Sequence, residues 1–153
     1  MHSFNNTRFF PYNIEFIKKI ILDIEKYPEF VPWCTKAQLL SKIENELMAE
    51  LTITFKFFTE NYTSRIITIQ NKEYFQINIE AVSGPFKKLI NLWSIKTVNN
   101  GCTVDFSIDF ECKSMILNNT IGLFFPIAVN KIMNAFETRA LYISQENKVG
   151  VIK

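Results

Sequence analysis

The strict alternation of apolar and polar residues between Cys102 and Cys112 constrains the fold more than any other feature of the sequence. The apolar positions are Cys102, Val104, Phe106, Ile108, Phe110 and Cys112. Because successive side chains of a β-strand point to opposite faces, this segment predicts a strand with one dry face and one wet face. The dry face has to be covered, so the rest of the chain must supply further strands and a cover.

Similar alternation recurs upstream and predicts more strands. One apolar set is Leu47, Ala49, Leu51, Ile53, Phe55 and Phe57, and another is Phe75, Ile77 and Ile79. Together with turn residues such as Asn99-Asn100-Gly101, these patterns predict an antiparallel meander of about six or seven strands. The predicted strands cover residues 3–10, 36–43, 46–57, 60–70, 73–82, 88–98 and 101–112.

Two segments predict helices. Asn13 is a potential N-cap for a first helix that ends before Pro28, and residues 28–34 are expected to form a short irregular connection. Ser114 is a helix start signal, and after a short turn to Pro126 a C-terminal helix is predicted from apolar residues spaced three and four apart. Its stripe is Val129, Ile132, Phe136, Ala140 and Ile143. A helix of about 20 residues would be about 30 Å long and could cross a whole sheet.

The predicted fold is therefore α+β, with a curved antiparallel sheet wrapped around a long C-terminal helix. A chain of 153 residues has the length of one domain, and no repeat or linker divides it. We expect a single domain over residues 1–146 and a flexible tail over 147–153.

A sheet that grips a helix can be filled by its side chains or can leave a cavity, and the pattern alone leaves both open. The chain has 15 phenylalanines, enough apolar side chains for either arrangement. Trp33 and Trp93 add indole N–H groups that need a partner when buried. The residues expected to point inward are Leu51, Phe55, Trp93, Phe106, Val129 and Phe136.

Composition and charge argue against several classes of function. The net charge is +2 and basic residues are interspersed with acids, so binding to DNA is not expected. His2 is the only histidine, and the three cysteines lack metal-site spacing, so we expect free thiols and neither metal nor cofactor. The acidic residues Asp105, Asp109 and Glu111 fall on the wet face of their strand, which leaves no inward acid or base. The sequence therefore predicts a protein that is not an enzyme.

Four segments carry a resemblance to a known family. YPEFVPWC (27–34), YTSR (62–65), GPFKKL (84–89) with Trp93 following, and FETRA (136–140) resemble the coenzyme Q-binding START-like family, in the same order over most of the chain. The resemblance implies a helix-grip fold of the START/Bet v 1-like type with a deep apolar cavity. It also implies ubiquinone or another polyprenyl lipid as the bound ligand, and a supporting role in respiration or quinone biosynthesis.

The motifs do not separate this family from the similar bacterial ribosome-association toxins. Those proteins are described as binding the large ribosomal subunit and blocking subunit joining, so ribosome binding stays the alternative. A polyketide cyclase-like enzyme is a further alternative that would need an inward carboxylate.

The resemblance also implies roles for particular residues. Arg65 and Arg139 would donate to quinone carbonyls or a lipid headgroup, with a surface ion pair as the alternative for each. Phe86, with Lys87 and Lys88, could seat an aromatic ring at an anionic lipid surface, form an ordinary turn, or contact ribosomal phosphates. The predicted ligand-binding residues are Trp33, Leu51, Phe55, Arg65, Phe86, Trp93, Phe106, Val129, Phe136 and Arg139.

The sequence shows no run of about 18 apolar residues and neither a signal core nor a transit segment at its start. We therefore expect a cytoplasmic location, with peripheral contact at the inner membrane. The expected partners are a polyprenyl quinone or other lipid and, in the alternative, the large ribosomal subunit.

Overall fold

The computed structural model describes residues 1–55 and 57–147, and this part of the chain forms one curved sheet and two α-helices. The strands are β1 (His2–Phe10), β2 (Cys34–Ile43), β3 (Glu46–Phe55), β4 (Phe58–Gln70), β5 (Tyr74–Ser83), β6 (Phe86–Val98) and β7 (Gly101–Cys112). The helices are α1 (Ile14–Leu22) and α2 (Met115–Asn147).

The seven strands form a single antiparallel sheet in the order β1-β7-β6-β5-β4-β3-β2. Strands β2 to β7 follow one another as a meander, and β1 closes the far edge by pairing with β7. Helix α2 packs chiefly against β1, β7 and α1. The predicted α+β helix-grip architecture is confirmed.

The predicted inner faces of the strands are confirmed with one exception. Val104 and Phe110 of β7 and Ile77 of β5 are completely buried. The prediction that Phe57 lies on the inner face of β3 is wrong, because its side chain is 99% exposed. The reason is that β3 ends at Phe55, which pairs with Phe58 at the start of β4, so Phe57 lies beyond the ladder.

The first helix is capped as predicted but is shorter. Asn13 accepts a hydrogen bond from the Phe16 amide at 2.8 Å, which satisfies one of the free donors of the first turn. Helix α1 ends at Leu22, and a 3₁₀ helix follows over Ile24–Glu29 with Pro28 inside it. The predicted irregular connection of residues 28–34 is therefore wrong at both ends. Pro28 and Glu29 belong to the 3₁₀ helix, and Cys34 already belongs to β2.

The C-terminal helix begins at Met115, eleven residues before Pro126, and its 33 residues make it about 50 Å long. Ser114 accepts a hydrogen bond from the Leu117 amide at 3.2 Å, so the helix starts at a capped serine. A proline removes only one helical hydrogen bond, and the exposed Pro126 lies inside the helix without ending it. Glu146 and Asn147 are the last described residues of the helix, and the rest of the predicted tail lies outside the described residues.

Aromatic and polar contacts fasten α2 to the sheet. The Trp93 ring lies 4.8 Å from that of Phe106 and 5.0 Å from that of Phe136, centroid to centroid, which joins β6, β7 and α2. At the edge of the sheet, Arg8 of β1 donates to Glu137 at 2.7 Å. These contacts fix one half of α2 over β1, β6 and β7.

Candidate functional site

An apolar cavity of about 230 Å³ lies between the concave face of the sheet, α2 and the segment that follows α1. Strands β2 to β7 line it, together with the end of α1, the 3₁₀ helix, the segment before β2, and the part of α2 from Ile121 to Phe136. Among the residues that the structure describes, none of those lining the cavity is Asp, Glu, Lys, Arg or His. The cavity therefore suits a ligand that is apolar and uncharged.

Small side chains in neighbouring strands create the space. Ser64 of β4 pairs with Ala49 of β3 on one side and with Ala81 of β5 on the other. Ala49 and Ser64 line the cavity, and their short side chains leave room there, while α2 packs chiefly against β1, β7 and α1. The cavity follows from this row of small residues opposite a helix that rests on the other half of the sheet.

Seven of the ten predicted ligand-binding residues line the cavity. They are Trp33, Leu51, Phe55, Phe86, Trp93, Phe106 and Phe136. Val129 is buried in the core at 3% exposure but does not contribute to the lining. The structure therefore brings together the aromatic part of the predicted site.

The two arginines of the predicted site lie outside the cavity. The Arg65 Nε atom is 3.6 Å from Glu46 Oε1 on the outer face of the sheet. Arg139 donates from Nη2 to Glu29 Oε1 at 3.1 Å, and its guanidinium carbon lies 5.0 Å from the centre of the Phe30 ring. In this arrangement both are ion-paired surface or rim residues, because strand parity turns Arg65 away from the inward Ser64 and Ile66.

The segment GPFKKL does not form an exposed loop that would place an aromatic ring at an anionic lipid surface. Strand β6 already begins at Phe86, whose ring lies 5.2 Å from that of Tyr62 inside the fold. Lys87 forms an ion pair with Glu111 at 3.3 Å, and Lys88 is exposed. Phe86 therefore forms part of the cavity wall and does not stand at the tip of an exposed loop.

Trp33 stands at the cavity in an unusual backbone conformation. Its φ angle is +65°, in the left-handed region that non-glycine residues rarely adopt. Its carbonyl accepts a hydrogen bond from the Thr54 amide at 2.8 Å, and its ring meets that of Phe55 edge to face at 5.5 Å. Contacts to β3 thus hold the strained residue in place against the cavity.

Trp93 finds its polar partner within the protein. Its indole N–H donates to Asn91 Oδ1 at 3.1 Å, and Asn91 Nδ2 donates to the Ser107 carbonyl at 2.8 Å. The buried indole is therefore satisfied without a ligand. Asn91 supplies this partner from two residues away on β6. It was not among the predicted site residues.

We expect Asn91→Leu to lower the free energy of unfolding by about 1–3 kcal/mol, because it leaves the buried Trp93 N–H without an acceptor. The measurement is denaturant unfolding followed by tryptophan fluorescence. The matched control is Asn78→Leu. Asn78 Oδ1 is buried with no hydrogen-bond partner among the described residues, and Asn78 pairs with Ile67 and Leu92. This control should be neutral or stabilising, and an equal loss in both variants would contradict the role of Asn91.

A second group of polar side chains faces the cavity and was also missed from the sequence: Tyr27, Cys34, Tyr62 and Ser64. The Tyr27 hydroxyl donates to the Ile21 carbonyl. Burial raises the pKa of Tyr27 and of Tyr62, and it raises the pKa of the Cys34 thiol to about 11. All three groups are therefore neutral at physiological pH, and Cys34 is not an activated nucleophile.

Tyr62 and Ser64 differ from the other polar groups because they have no hydrogen-bond partner. Ser64 is 1% exposed, and its Oγ atom is buried without a partner in the described part of the chain. Tyr62 is half-buried, its ring packs against that of Phe86, and within residues 1–55 and 57–147 its hydroxyl makes no hydrogen bond. The sequence signal was present in YTSR, where an outward Arg65 requires inward side chains at positions 62 and 64.

The first half of α2 exposes an apolar face beside the cavity. Residues 114–130 include no charged residue. The exposed apolar side chains are Met115, Ile116, Leu123 and Ile127, while Ile121, Phe124 and Ala128 line the cavity. By length and composition alone, Met115–Glu146 would be apolar enough to cross a membrane.

Comparison with known proteins gives a family and several relatives. Residues 11–137 match the family described as "Polyketide cyclase / dehydrase and lipid transport". The chain is 38% identical over 141 residues to the ribosome association toxin RatA of Rickettsia prowazekii, which covers 92% of this chain and 97% of the relative. It is 30% identical over 150 residues to the mitochondrial coenzyme Q-binding protein COQ10 homolog B of Xenopus laevis, covering 94% of this chain and 60% of the relative.

Among solved structures, the Zhui aromatase/cyclase from a Streptomyces species superposes with a TM-score of 0.81 over 98% of this chain and 99% of that one. The sequence identity in this superposition is 12%, so the likeness concerns the fold alone.

Proposed function

Because this chain belongs to the polyketide cyclase/dehydrase and lipid transport family, we propose that its cavity binds an uncharged polyprenyl lipid, with ubiquinone as the ligand, and catalyses no reaction on it. The observation that carries the proposal is the lining, in which apolar and aromatic side chains surround a few neutral polar groups. Holding a quinone in this way would support respiratory electron transport or quinone biosynthesis. A relative named as coenzyme Q-binding, aligned over 94% of this chain, supports the choice of ligand.

The size of the cavity bears on how such a ligand would sit. At about 230 Å³ it is below the range of roughly 300–1,000 Å³ common for ligand pockets. A quinone ring and the first prenyl units would lie inside, and the rest of the tail would leave toward the exposed apolar side chains of α2. Each buried CH₂ of a prenyl tail contributes about 0.8 kcal/mol, so partial enclosure suffices for binding.

The acidic residues of β7 lie outside the cavity, which supports the proposal that the protein catalyses no reaction on its ligand. Asp105 accepts a hydrogen bond from Thr7 at 2.7 Å, and Glu111 pairs with Lys87, both outside the cavity. A cyclase mechanism needs an acid or base beside the substrate with a pKa near the working pH, and burial raises the pKa of the Tyr27, Cys34 and Tyr62 side chains away from that range.

Titration with a short-tailed ubiquinone tests the binding directly. Trp33 and Trp93 line the cavity, so a bound quinone should quench tryptophan fluorescence to a saturating level. A quench that rises linearly without saturation, equal to that of free tryptophan in solution, would overturn the proposal.

We further propose peripheral membrane contact through the exposed apolar face of α2, because this face adjoins the cavity and carries no charge. Leu123, which is 78% exposed, lies between Ile121 and Phe124 of the cavity lining. Leu123→Glu is expected to weaken flotation with phosphatidylcholine vesicles at least tenfold, since burying a leucine is worth about 1.5–3 kcal/mol. The control is Thr138→Glu, which places the same charge on an exposed position in the second half of α2. Equal flotation of both variants and the unmodified protein would count against this contact.

Ribosome association is the second candidate function, favoured by the relative named as a ribosome association toxin at 38% identity. The charge arrangement gives it less support. Arg65, Lys87 and Arg139 each lie within 3.6 Å of a carboxylate oxygen, which neutralises part of the basic charge that rRNA would need. Sedimentation decides this question. Comigration with large ribosomal subunits at low salt that is lost as the salt concentration rises would support ribosome association. The absence of comigration at low salt would rule it out.

A further inference from the structure

The two cavity hydroxyls without partners form a polar pair on one strand. Tyr62 and Ser64 lie on the same face of β4, two residues apart, so their Cα atoms are roughly 6.5 Å from each other. Ser64 Oγ is a buried hydroxyl without a partner, which lowers stability, and few such groups occur in native proteins. A ligand that accepts their hydrogen bonds would remove this cost.

The neighbouring polar groups leave these two hydroxyls as the available donors. Tyr27 already donates its proton to the Ile21 carbonyl, and the Cys34 thiol donates to the Lys36 carbonyl at 3.5 Å. Asn91 is engaged by Trp93 and Ser107. Among the hydroxyls of the described lining residues, those of Tyr62 and Ser64 remain without an acceptor.

The charges around the pair define the chemistry that it can recognise. The described lining has no cation to neutralise a carboxylate or phosphate and no anion to neutralise an amine. A charged headgroup would lose its hydration there without compensation. An uncharged oxygen acceptor, such as a ring carbonyl or an ether, loses little hydration and gains the two donors.

We infer that Tyr62 and Ser64 donate hydrogen bonds to an uncharged carbonyl or ether oxygen of the bound lipid and so select it over hydrocarbons and anionic lipids. The inference rests on the proposed lipid-binding function and identifies the part of the cavity that recognises the headgroup by hydrogen bonding. The apolar residues then supply affinity, while these two hydroxyls supply specificity.

The test compares two probes that differ only in the headgroup, a ubiquinone with two prenyl units and the corresponding prenyl hydrocarbon without oxygen, by titration calorimetry. Tyr62→Phe and Ser64→Ala should each weaken quinone binding about threefold to tenfold and leave the hydrocarbon unchanged, because each variant removes one net hydrogen bond. Tyr142→Phe is the matched control, since its side chain is 55% exposed and lies outside the cavity.

A second measurement separates recognition from a structural role. In the ligand-free protein, Ser64→Ala should not lower the free energy of unfolding, because it removes a buried group that has no partner. Equal losses for the quinone and the hydrocarbon would overturn the inference, as would tight binding of a fatty acid of similar length. If the unmodified protein binds both probes equally, the headgroup site is refuted while lipid binding stands. If it binds neither, the proposed function itself fails.

Discussion

Replacing Phe106 with aspartate is expected to leave the protein unable to fold. Phe106 is 4% exposed on the inner face of β7 and packs edge to face on Trp93. Loss of a buried phenylalanine side chain costs about 3–5 kcal/mol, and an unpaired buried carboxylate adds several more. This sum approaches the whole stability of a typical domain, about 5–15 kcal/mol.

Circular dichroism and denaturant unfolding measure the effect of Phe106→Asp. The control, Thr103→Asp, puts the same charge on the outer face of the same strand, where residue 103 pairs with Lys96 of β6. We expect the control to stay within about 0.5 kcal/mol of the unmodified protein. A folded Phe106→Asp protein of ordinary stability would show that the inner face of β7 is wrongly assigned.

Ala49→Leu is expected to weaken ligand binding roughly fiftyfold without harming the fold. Ala49 is completely buried, lines the cavity and lies beside Ser64 in the row of small residues. Its three added carbons would occupy space that the ligand needs. At about 0.8 kcal/mol for each displaced CH₂, the loss is about 2.4 kcal/mol, or roughly fiftyfold in affinity. The apo protein should keep or gain stability, since filling a cavity commonly stabilises.

The control for Ala49→Leu is Thr54→Leu, which enlarges a side chain on the outer face of the same strand. It should leave quinone affinity unchanged. If Ala49→Leu binds quinone as tightly as the unmodified protein, the ligand does not occupy this cavity. If it unfolds instead, the space beside Ala49 is smaller than the structure indicates.

The sheet could be predicted from the sequence because its period-two pattern is explicit. Strand β7 alternates without a break, and its predicted bounds agree with the observed Gly101–Cys112. The errors occur where local chemistry competes with the pattern. Phe57 continued the apolar alternation past the end of the ladder at Phe55, and Pro126 suggested a helix start although Ser114 had already capped α2.

The cavity and its polar groups were harder to predict for a physical reason. A filled core and an empty cavity require the same alternation, so the choice depends on which residues meet across strands. The register that sets Ala49 and Ala81 on either side of Ser64 is a tertiary property. Strand β4 also carries polar residues on both faces, FTENYTSRIITIQ, which hides the inward direction of Tyr62 and Ser64.

Organic extraction of protein purified without detergent from quinone-producing cells, followed by mass spectrometry of the extract, tests whether the cavity holds ubiquinone. Ala49→Leu protein purified in parallel controls for lipid that adheres to the outer surface. We expect near-stoichiometric ubiquinone with the unmodified protein and at most traces with Ala49→Leu. Repeated preparations of the unmodified protein that contain no quinone, or equal quinone in both proteins, would contradict this expectation.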